Sequence, residues 1–299
     1  MSVVIRAAGL TKTYRGRRGV AGLDLEVEEG EVFGFLGPNG AGKTTTIRTL
    51  MGFLRPDEGR AEVFGFDVWR ESVEVRLRVG NLPGELAFED RMTGEQIIRL
   101  SARLRGVDDL SYARALAHRL GADLTRPVRR LSRGNRQKVG IVQAMFHRPP
   151  LLILDEPTGG LDPLVQEEFL RMIREVKEEG RTVFFSSHNL AEVERVCDRV
   201  GIIREGTLAA VEEVGRLPGR SFRRVRLTFD SPADPAPFAA LPGVDELKQE
   251  GAVLSFRVHG DLDAVVKLAA GHTVVDIEVE RPSLEEVFLA YYGEDGEER

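Results

Sequence analysis

The sequence predicts an α/β domain with a mostly parallel sheet, followed by a smaller α+β domain. Strand-like and helix-like patterns alternate through roughly the first two thirds of the 299 residues, as expected when helices cover a parallel sheet. The composition then shifts at Leu217-Pro218-Gly219, and a different order of short elements follows. We therefore predict a first domain at residues 1–217 and a second at residues 218–299.

Local patterns justify the elements of the first domain. Residues 32–36 form an apolar strand that enters a glycine-rich turn, and a helix is predicted at residues 44–51. Continuous apolar runs at residues 151–154 and 182–186 are typical of strands buried on both faces. Between them, residues 163–178 predict a helix, because proline opens the segment and a glycine follows its end.

A helical subdomain is predicted at about residues 86–147. Thr93 and Gln96 have the spacing of a capping box, and the apolar residues Ile97 and Leu100 follow them. Such a box satisfies two backbone N–H groups at a helix start. A helix is therefore expected to begin at this point.

The second domain shows the order βαββαβ, which is the ferredoxin-like pattern. A further helix is predicted from Ser283, where Glu286 completes a capping box. Residues 293–299 are acidic and are expected to form a frayed tail. The six main elements are a strand at 225–229, a helix at 235–241, strands at 244–248 and 252–258, a helix at 261–270 and a strand at 275–279.

Composition narrows the classes of function. The net charge is −6, which disfavours general nucleic-acid binding. Cys197 is the single cysteine, so no internal disulfide can form and the cytosol is the expected compartment. No apolar run approaches the roughly 20 residues that span a bilayer. Any membrane contact is therefore expected to come through a partner.

A phosphate-binding loop follows the first predicted strand. The pattern G-x-x-x-x-G-K-[ST] occurs between a strand and a helix, which is the context that this motif requires. Its backbone N–H groups cradle phosphate oxygens, the lysine reaches the β- and γ-phosphates, and the threonine hydroxyl binds Mg²⁺. The motif predicts a P-loop NTPase. The predicted nucleotide-binding residues are Gly37, Pro38, Asn39, Gly40, Ala41, Gly42, Lys43, Thr44 and Thr45.

Two carboxylates end the buried strand at residues 151–154. Asp155 and Glu156 lie where the carboxyl ends of parallel strands place ligand sites. Asp155 is expected to hold Mg²⁺ through water, and Glu156 to polarise the water that attacks the γ-phosphate. The alternative, two acids that merely mark a strand end, is weakened by the neighbouring phosphate loop.

These motifs resemble the ATP-binding subunit of ABC transporters. Over residues 3–216 further features match in the expected order. The resemblance implies a P-loop NTPase domain of the ABC ATPase type, with a mostly parallel sheet and a helical subdomain. The matching features are Tyr14 for adenine stacking, Gly80–Gly84 as the Q-loop, Leu131-Ser132-Arg133-Gly134-Asn135 as the signature motif, Asp162 in the D-loop and His188 as the switch histidine.

The resemblance also implies how these residues work. Ser132, Gly134, Asn135 and Asp162 would face the ATP of a second ATPase subunit, so that two subunits enclose two nucleotides. Since one ATPase domain is present, the partner would be a second copy, as a homodimer, or a paralogue. Each match has an ordinary alternative: Tyr14 as a surface aromatic, His188 as a structural histidine and Ser132 as a helix cap.

Two departures from the family pattern affect the expected site. Gly84 stands where the Q-loop glutamine is usual, and Gly84 has no side chain to bind Mg²⁺. Either Glu85 takes part of that role as a metal ligand, or coupling depends on backbone movement. In the signature motif, Arg133 replaces a glycine and Asn135 replaces a glutamine. Arg133 would contact the phosphate or a carboxylate of the partner subunit, or would be solvated.

The signature variant and the C-terminal domain resemble the ATPases of polyketide-antibiotic or daunorubicin-type drug exporters. This implies an ATPase on the inner face of the cell membrane that drives export through separate transmembrane permease subunits. The alternatives are a soluble ABC-type ATPase acting on nucleic acid or ribosomes, and a regulatory module that is not coupled to transport. The second domain is expected to dimerise, to regulate, or only to stabilise the chain.

Overall fold

A computed structural model describes residues 2–14, 17–216 and 222–280 of the chain. Residues 1–214 and 215–299 form two separate compact units. The strands of the first unit are β1 (Val3–Tyr14), β2 (Arg17–Glu28), β3 (Val32–Leu36), β4 (Glu58–Val63), β5 (Phe66–Asp67), β6 (Val79–Leu82), β7 (Leu151–Asp155), β8 (Thr182–Ser187), β9 (Arg199–Arg204) and β10 (Thr207–Glu213). Its helices are α1 (Lys43–Leu50), α2 (Ser72–Arg78), α3 (Gly94–Arg105), α4 (Ser111–Leu120), α5 (Arg133–Met145), α6 (Pro163–Glu178) and α7 (Leu190–Val196).

A six-stranded sheet carries the functional loops of this unit. Its strand order is β10-β9-β3-β8-β7-β6, and every pairing is parallel except the one between β10 and β9. All residues of β3, β7 and β8 are buried. The prediction of a mostly parallel sheet is therefore confirmed. The loops after β3, β6, β7 and β8 leave the sheet at one edge, because parallel strands end on the same side.

A second sheet, with the order β2-β1-β4-β5, is antiparallel. The sequence analysis did not predict it, although Leu23, Leu25 and Val27 of β2 alternate with acidic residues. The pairing of β1 with β4 joins segments about 50 residues apart, and no local pattern reports it. Buried residues of β1, β2 and β4 form one apolar cluster with residues of β3 and α1. This cluster fixes the base of the loop between β3 and α1.

Helices α3, α4 and α5 lie in the helical part of the first unit, the region predicted at about residues 86–147. The capping box at α3 is confirmed: Thr93 Oγ1 accepts from the N–H of Gln96 at 3.2 Å, and Gln96 Oε1 accepts from the N–H of Thr93 at 2.9 Å. Arg119 of α4 donates to Glu168 of α6 at 2.6 Å and to Glu175 of α6 at 2.7 Å. These ion pairs join the helical part to α6.

Over residues 222–280, the second unit contains one antiparallel sheet and two short helices. The strand order β12-β13-β11-β14 and the element order confirm the ferredoxin-like prediction. The helix predicted at residues 261–270 begins later, because the N–H of Asp263 donates to Asp261 Oδ1 at 3.0 Å in a local turn. The helix predicted from Ser283 and the tail at 293–299 lie outside the described residues. The elements are β11 (Phe222–Phe229), α8 (Ala236–Ala239), β12 (Val244–Glu250), β13 (Val253–His259), α9 (Asp263–Ala269) and β14 (Val274–Glu280).

Opposite charges face each other on the sheet of the second unit. Arg224 pairs in register with Glu280, and Arg226 with Glu278, between β11 and β14. Cross-strand pairs of opposite charge stabilise a sheet. The buried residues Val225 and Leu227 of β11 point to the other face and belong to the core of this unit. This alternation explains why the unit folds around one face of its sheet.

Membrane-spanning helices were not expected from the sequence. Within the three described ranges, no helix combines the length and the hydropathy needed to cross a bilayer.

Candidate nucleotide-binding site

The loop between β3 and α1 has the backbone shape of a phosphate cradle. Gly42 adopts a left-handed φ of 112°, and a Cβ at this position would lie 2.5 Å from the carbonyl oxygen of Gly19. A Cβ on Gly37 would lie 2.4 Å from the carbonyl oxygen of Ile203. Both positions therefore require glycine. Gly42 precedes α1, and no described side chain caps this helix, so its first N–H groups are directed at the loop.

Lys43 and Glu156 meet at the centre of the site. The buried Lys43 Nζ donates to the carbonyl oxygens of Gly37 at 2.6 Å and Pro38 at 3.1 Å. It also lies 3.2 Å from Glu156 Oε1. The second carboxylate oxygen of Glu156, Oε2, lies 3.4 Å from Nδ1 of His188. The structure thus brings together three residues from the loops after β3, β7 and β8.

Glu156 has an unusual backbone conformation. Its φ of 48° is in the left-handed region, which few residues other than glycine adopt. Its N–H donates to Ser186 Oγ at 3.1 Å, and its carbonyl oxygen accepts from the N–H of Gly159 at 3.1 Å. Local hydrogen bonds therefore hold the conformation that turns this carboxylate toward Lys43.

One carboxylate oxygen of Asp155 is buried without a partner. Asp155 is 1% exposed, and its Oδ1 accepts from Ser186 Oγ at 2.6 Å. Oδ2 has no hydrogen-bond partner in the described part of the chain. A buried carboxylate oxygen without a donor is costly, so this atom is suited to a cation or to water bound to one. This observation fits the predicted Mg²⁺ site.

The Q-loop position lies beside this carboxylate. A Cβ on Gly84 would lie 3.0 Å from Asp155 Oδ2, so the absent side chain leaves room beside the unpartnered oxygen. Glu85 is exposed and lines the same cavity of about 740 Å³ as Thr44, Asp155 and Glu156. The structure therefore places Gly84, rather than Glu85, against Asp155. A metal-binding role of Glu85 stays a prediction.

Tyr14 lies at the mouth of the phosphate loop. It lines a recess of about 290 Å³ with Lys43, Thr44 and Thr45, and it is 42% exposed. A Cβ on Gly19 would lie 2.9 Å from Cε2 of the tyrosine ring. Gly19 thus makes room for the ring, a role that its residue type alone did not reveal. The arrangement fits a ring available for stacking on a base.

The signature residues surround a different recess. Ser132 caps α5, with its hydroxyl accepting from the N–H of Asn135 at 3.2 Å. A Cβ on Gly134 would lie 2.6 Å from the carbonyl oxygen of Gly160, so the signature helix touches the D-loop backbone. Ser132, Gly134, Asn135 and Asp162 line this recess of about 620 Å³. The recess contains none of the residues that line the recess beside Tyr14.

Basic side chains crowd the signature recess. Arg133 extends its side chain along Gly160, whose added Cβ would lie 3.4 Å from the Cγ and Cδ atoms of Arg133. A recess with this charge favours an anionic ligand. Its cationic lining residues are Arg126, Arg130, Arg133 and Lys138.

The side chain of Asn135 is engaged by the fold. Its Oδ1 accepts from the N–H of Asp123 at 2.8 Å, and its Nδ2 donates to the carbonyl oxygen of Asp123 at 2.9 Å. Hydrogen bonds from Thr125 and Arg126 lower the pKa of the Asp123 carboxyl well below its ordinary value. Both amide atoms of Asn135 therefore hold the loop before α5. Only the backbone of Asn135 is therefore available for its predicted role in nucleotide binding.

Asp162 also has a structural contact. Its Oδ1 accepts from the N–H of Val165 at 3.1 Å and caps α6. Gln137, which the sequence did not single out, donates to the carbonyl oxygen of Pro157 at 2.9 Å. The sequence did offer a signal for Gln137. It lies one turn after Gly134 on α5, and residues three apart share a helix face, so it is expected on the same face as the signature residue Gly134.

The fold and the site geometry agree with two family models. The ABC transporter model matches residues 20–159, and the model of the DrrA1-3-like ATP-binding protein C-terminal domain matches residues 220–292. With the full-length relatives described next, these matches show that the chain belongs to the ABC transporter ATP-binding family. As a member, it binds nucleotide and is an ATPase.

The relatives extend over nearly the whole chain. The bacitracin transport ATP-binding protein BcrA of Bacillus licheniformis is 34% identical, and the match covers 98% of each chain. The daunorubicin/doxorubicin resistance ATP-binding protein DrrA of Streptomyces peucetius is also 34% identical, over 99% of this chain and 94% of its own. The resemblance to drug-exporter ATPases is therefore confirmed.

Solved structures show the same fold in the first unit. An ATP-binding subunit of an ABC transporter is 30% identical, with a TM-score of 0.66 over 72% of this chain and 91% of its own. The dimeric MJ0796 cassette bound to ADP and Pi is 20% identical, with a TM-score of 0.65 over 70% of this chain and 98% of its own. The predicted ABC ATPase fold is confirmed.

Proposed function

We propose that this chain powers the export of a drug, antibiotic or lipid-like compound through separate permease subunits. The observation that carries the proposal is the meeting of Lys43, Glu156 and His188 in a chain that matches exporter ATPases from end to end. BcrA is named for bacitracin transport and DrrA for daunorubicin and doxorubicin resistance. Membrane contact is made through the permease, on the cytoplasmic side.

Different residues of the chain carry out different parts of ATP hydrolysis. The loop amides and Lys43 bind the phosphates, because they present fixed positive charge where the phosphates lie. Glu156 orients the attacking water and accepts its proton. His188, within 3.4 Å of Glu156, holds this carboxylate and contacts the γ-phosphate. Tyr14 stacks on the adenine ring.

Thr44 and Asp155 would hold Mg²⁺. The unpartnered Oδ2 of Asp155 and the hydroxyl of Thr44 line the same cavity, and oxygen ligands of this type suit Mg²⁺. When bound, the metal neutralises charge on the phosphates. Gly84 leaves space beside Asp155, so that water would take the place of a glutamine amide when Mg²⁺ is bound.

A second ATPase subunit completes each site. The recess lined by Ser132 and Gly134 is basic and is separate from the Lys43 recess of the same chain. It supplies helix N–H groups and cations to the ATP of a partner. A homodimer is the simplest assembly, and the MJ0796 cassette was solved as a dimer. Because each site needs the signature recess of a second subunit, we expect two ATPase subunits in each transporter.

An apolar recess of about 730 Å³ is the proposed permease-docking surface. Phe53, Val73, Leu77 and Leu104 line it, and each is at least half exposed. An exposed apolar patch of this kind marks a protein interface. The segment 85–87 lines both this recess and the nucleotide cavity. Movement of this segment therefore links nucleotide binding to the permease.

Co-purification with membrane proteins tests the coupling. The tagged chain is expressed in its native host, and proteins that purify with it from detergent extracts are identified. A permease is expected. Its reconstitution with the chain should stimulate ATP hydrolysis, and cells that express both proteins should show ATP-dependent efflux. A Leu77→Asp, Leu104→Asp double variant should lose the permease but retain basal ATPase activity.

The matched control is Glu178→Gln, on an exposed part of α6. It should leave both the co-purification and the efflux unchanged. A chain that hydrolyses ATP but brings down no membrane protein would favour the alternative, a regulatory ABC ATPase that is not coupled to transport.

A further inference from the structure

Glu192 joins the two loops that carry Glu156 and His188. Its Oε1 accepts a hydrogen bond from the hydroxyl of Thr158 at 2.7 Å, and its Oε2 accepts one from the hydroxyl of Ser187 at 2.8 Å. Thr158 follows Glu156 by two residues, and Ser187 immediately precedes His188. One carboxylate therefore spans the loops after β7 and β8.

Both hydroxyl groups are in confined positions. Thr158 is 6% exposed and Ser187 is 3% exposed. Ser187 Oγ also accepts from the N–H of Asn189 at 2.9 Å. Of the two acceptors near its hydroxyl, Glu192 Oε2 at 2.8 Å is closer than the carbonyl oxygen of Asn189 at 3.3 Å. Hydrogen bonds to a charged acceptor are stronger than those between neutral groups. The two bonds therefore restrict how Thr158 and Ser187 can turn.

The helix that carries Glu192 is anchored to the phosphate loop strand. Val193, the next residue of α7, is fully buried, and a Cβ on Gly34 of β3 would lie 3.0 Å from its Cγ1. Since β3 leads directly into the phosphate loop, Glu192 is fixed to the same support as Lys43. Its carboxylate therefore fixes the positions of the loops that carry Glu156 and His188 relative to β3.

We propose that Glu192 is a positioning residue for ATP hydrolysis, acting through Thr158 and Ser187 on the Glu156–His188 pair. The proposal rests on the ATPase activity and not on the transported compound. Loss of the carboxylate frees both loops, so Glu156 and His188 leave the 3.4 Å arrangement for part of the time. Small displacements of catalytic groups lower the rate strongly, whereas the phosphate loop itself is unchanged.

The test compares kcat, KM and ATP affinity of purified full-length variants. Glu192→Ala should lower kcat about tenfold or more and leave the Kd for ATP within about twofold, because Lys43 and the loop amides do not contact Glu192. Glu192→Gln should recover most of the rate, since a side-chain amide can bond to both hydroxyls as donor and acceptor. Glu178→Ala is the exposed control and should match the wild type.

A double-mutant cycle identifies the route of the effect. Thr158→Val removes one hydroxyl with little change in volume, and its effect on kcat should be much less than additive with Glu192→Ala. Normal kcat in Glu192→Ala, equal damage in Glu192→Gln, or full additivity with Thr158→Val would each overturn the proposal. Efflux is not measured here, so a failure of the transport proposal leaves this result intact.

Discussion

At the residue scale, Glu156 concentrates the chemistry of the site. Its carboxylate lies 3.2 Å from Lys43 Nζ and 3.4 Å from Nδ1 of His188. A neutral glutamine keeps the shape of this side chain but cannot take a proton from water. Glu156→Gln should retain ATP binding and lose steady-state hydrolysis by about 100-fold or more. Phosphate release and equilibrium ATP binding measure the two effects.

The matched comparison is Lys43→Ala, which removes a charge that faces the phosphates. It should weaken both binding and turnover, whereas Glu156→Gln should accumulate an ATP-bound dimer in sedimentation experiments. Near-normal hydrolysis in Glu156→Gln would remove this residue from the mechanism.

Gly134 offers a second test at this scale. Alanine normally favours a helix over glycine by up to about 1 kcal/mol, but here its Cβ would lie 2.6 Å from the carbonyl oxygen of Gly160. Gly134→Ala should therefore push the signature helix from the D-loop and weaken ATP-driven dimerisation at least about fivefold. Binding of ATP to the monomer should be unchanged. Sedimentation in the Glu156→Gln background measures the dimer.

Gly215→Ala is the control, since no atom of the described residues lies within 4 Å of a Cβ added there. It should dimerise as the parent does. A Gly134→Ala chain with the parent's dimer fraction would show that the backbone contact with Gly160 is not needed for dimerisation.

At the element scale, the turn between α5 and β7 contains the half-buried His147, whose two ring nitrogens are buried. Burial lowers the pKa of His147 to about 3, and the cations Arg105 and Arg181 add to the effect. The unfolded chain takes up this proton near pH 6.5, so the stabilising contribution of the neutral ring is lost as the pH falls from about 6.5 toward 3. His147→Gln should reduce the loss of unfolding free energy between pH 7 and 5 by about 1 kcal/mol.

Urea unfolding at the two pH values measures this difference. The exposed His118 provides the control, and His118→Gln should follow the wild type at both pH values. An equal loss of stability in wild type and His147→Gln would assign the acid sensitivity to other groups.

Local signals at the element scale explain which predictions matched the structure. The bounds of α6 agree with the prediction, because Asp162 caps the helix, Pro163 begins it and Gly180 follows it. The sheet of β1, β2, β4 and β5 was missed: the alternation in β2 was a local signal, but the pairing of β1 with β4 depends on distant segments. Within the site, the loop motif predicted Lys43. The contacts of Glu192 join segments 34 residues apart, and no local pattern reports them.

The whole molecule comprises two compact units, residues 1–214 and 215–299. Residues 1–214 contain the entire phosphate loop and the signature segment. We expect a chain that ends after residue 214 to fold alone and to bind ATP with a Kd within about twofold of the full chain. Circular dichroism, thermal unfolding and ATP titration check this. An insoluble fragment, or one that binds no ATP, would show that the two units share a core.

The position of Gly84 beside Asp155 bears on how this site can change over evolutionary time. A Cβ at position 84 would lie 3.0 Å from a carboxylate oxygen, so that oxygen must shift by a few tenths of an ångström to admit a side chain. The effect of a glutamine at position 84 therefore depends on how freely the Asp155 carboxylate can move. Such dependence is epistasis: the effect of one substitution depends on the residue present at another site.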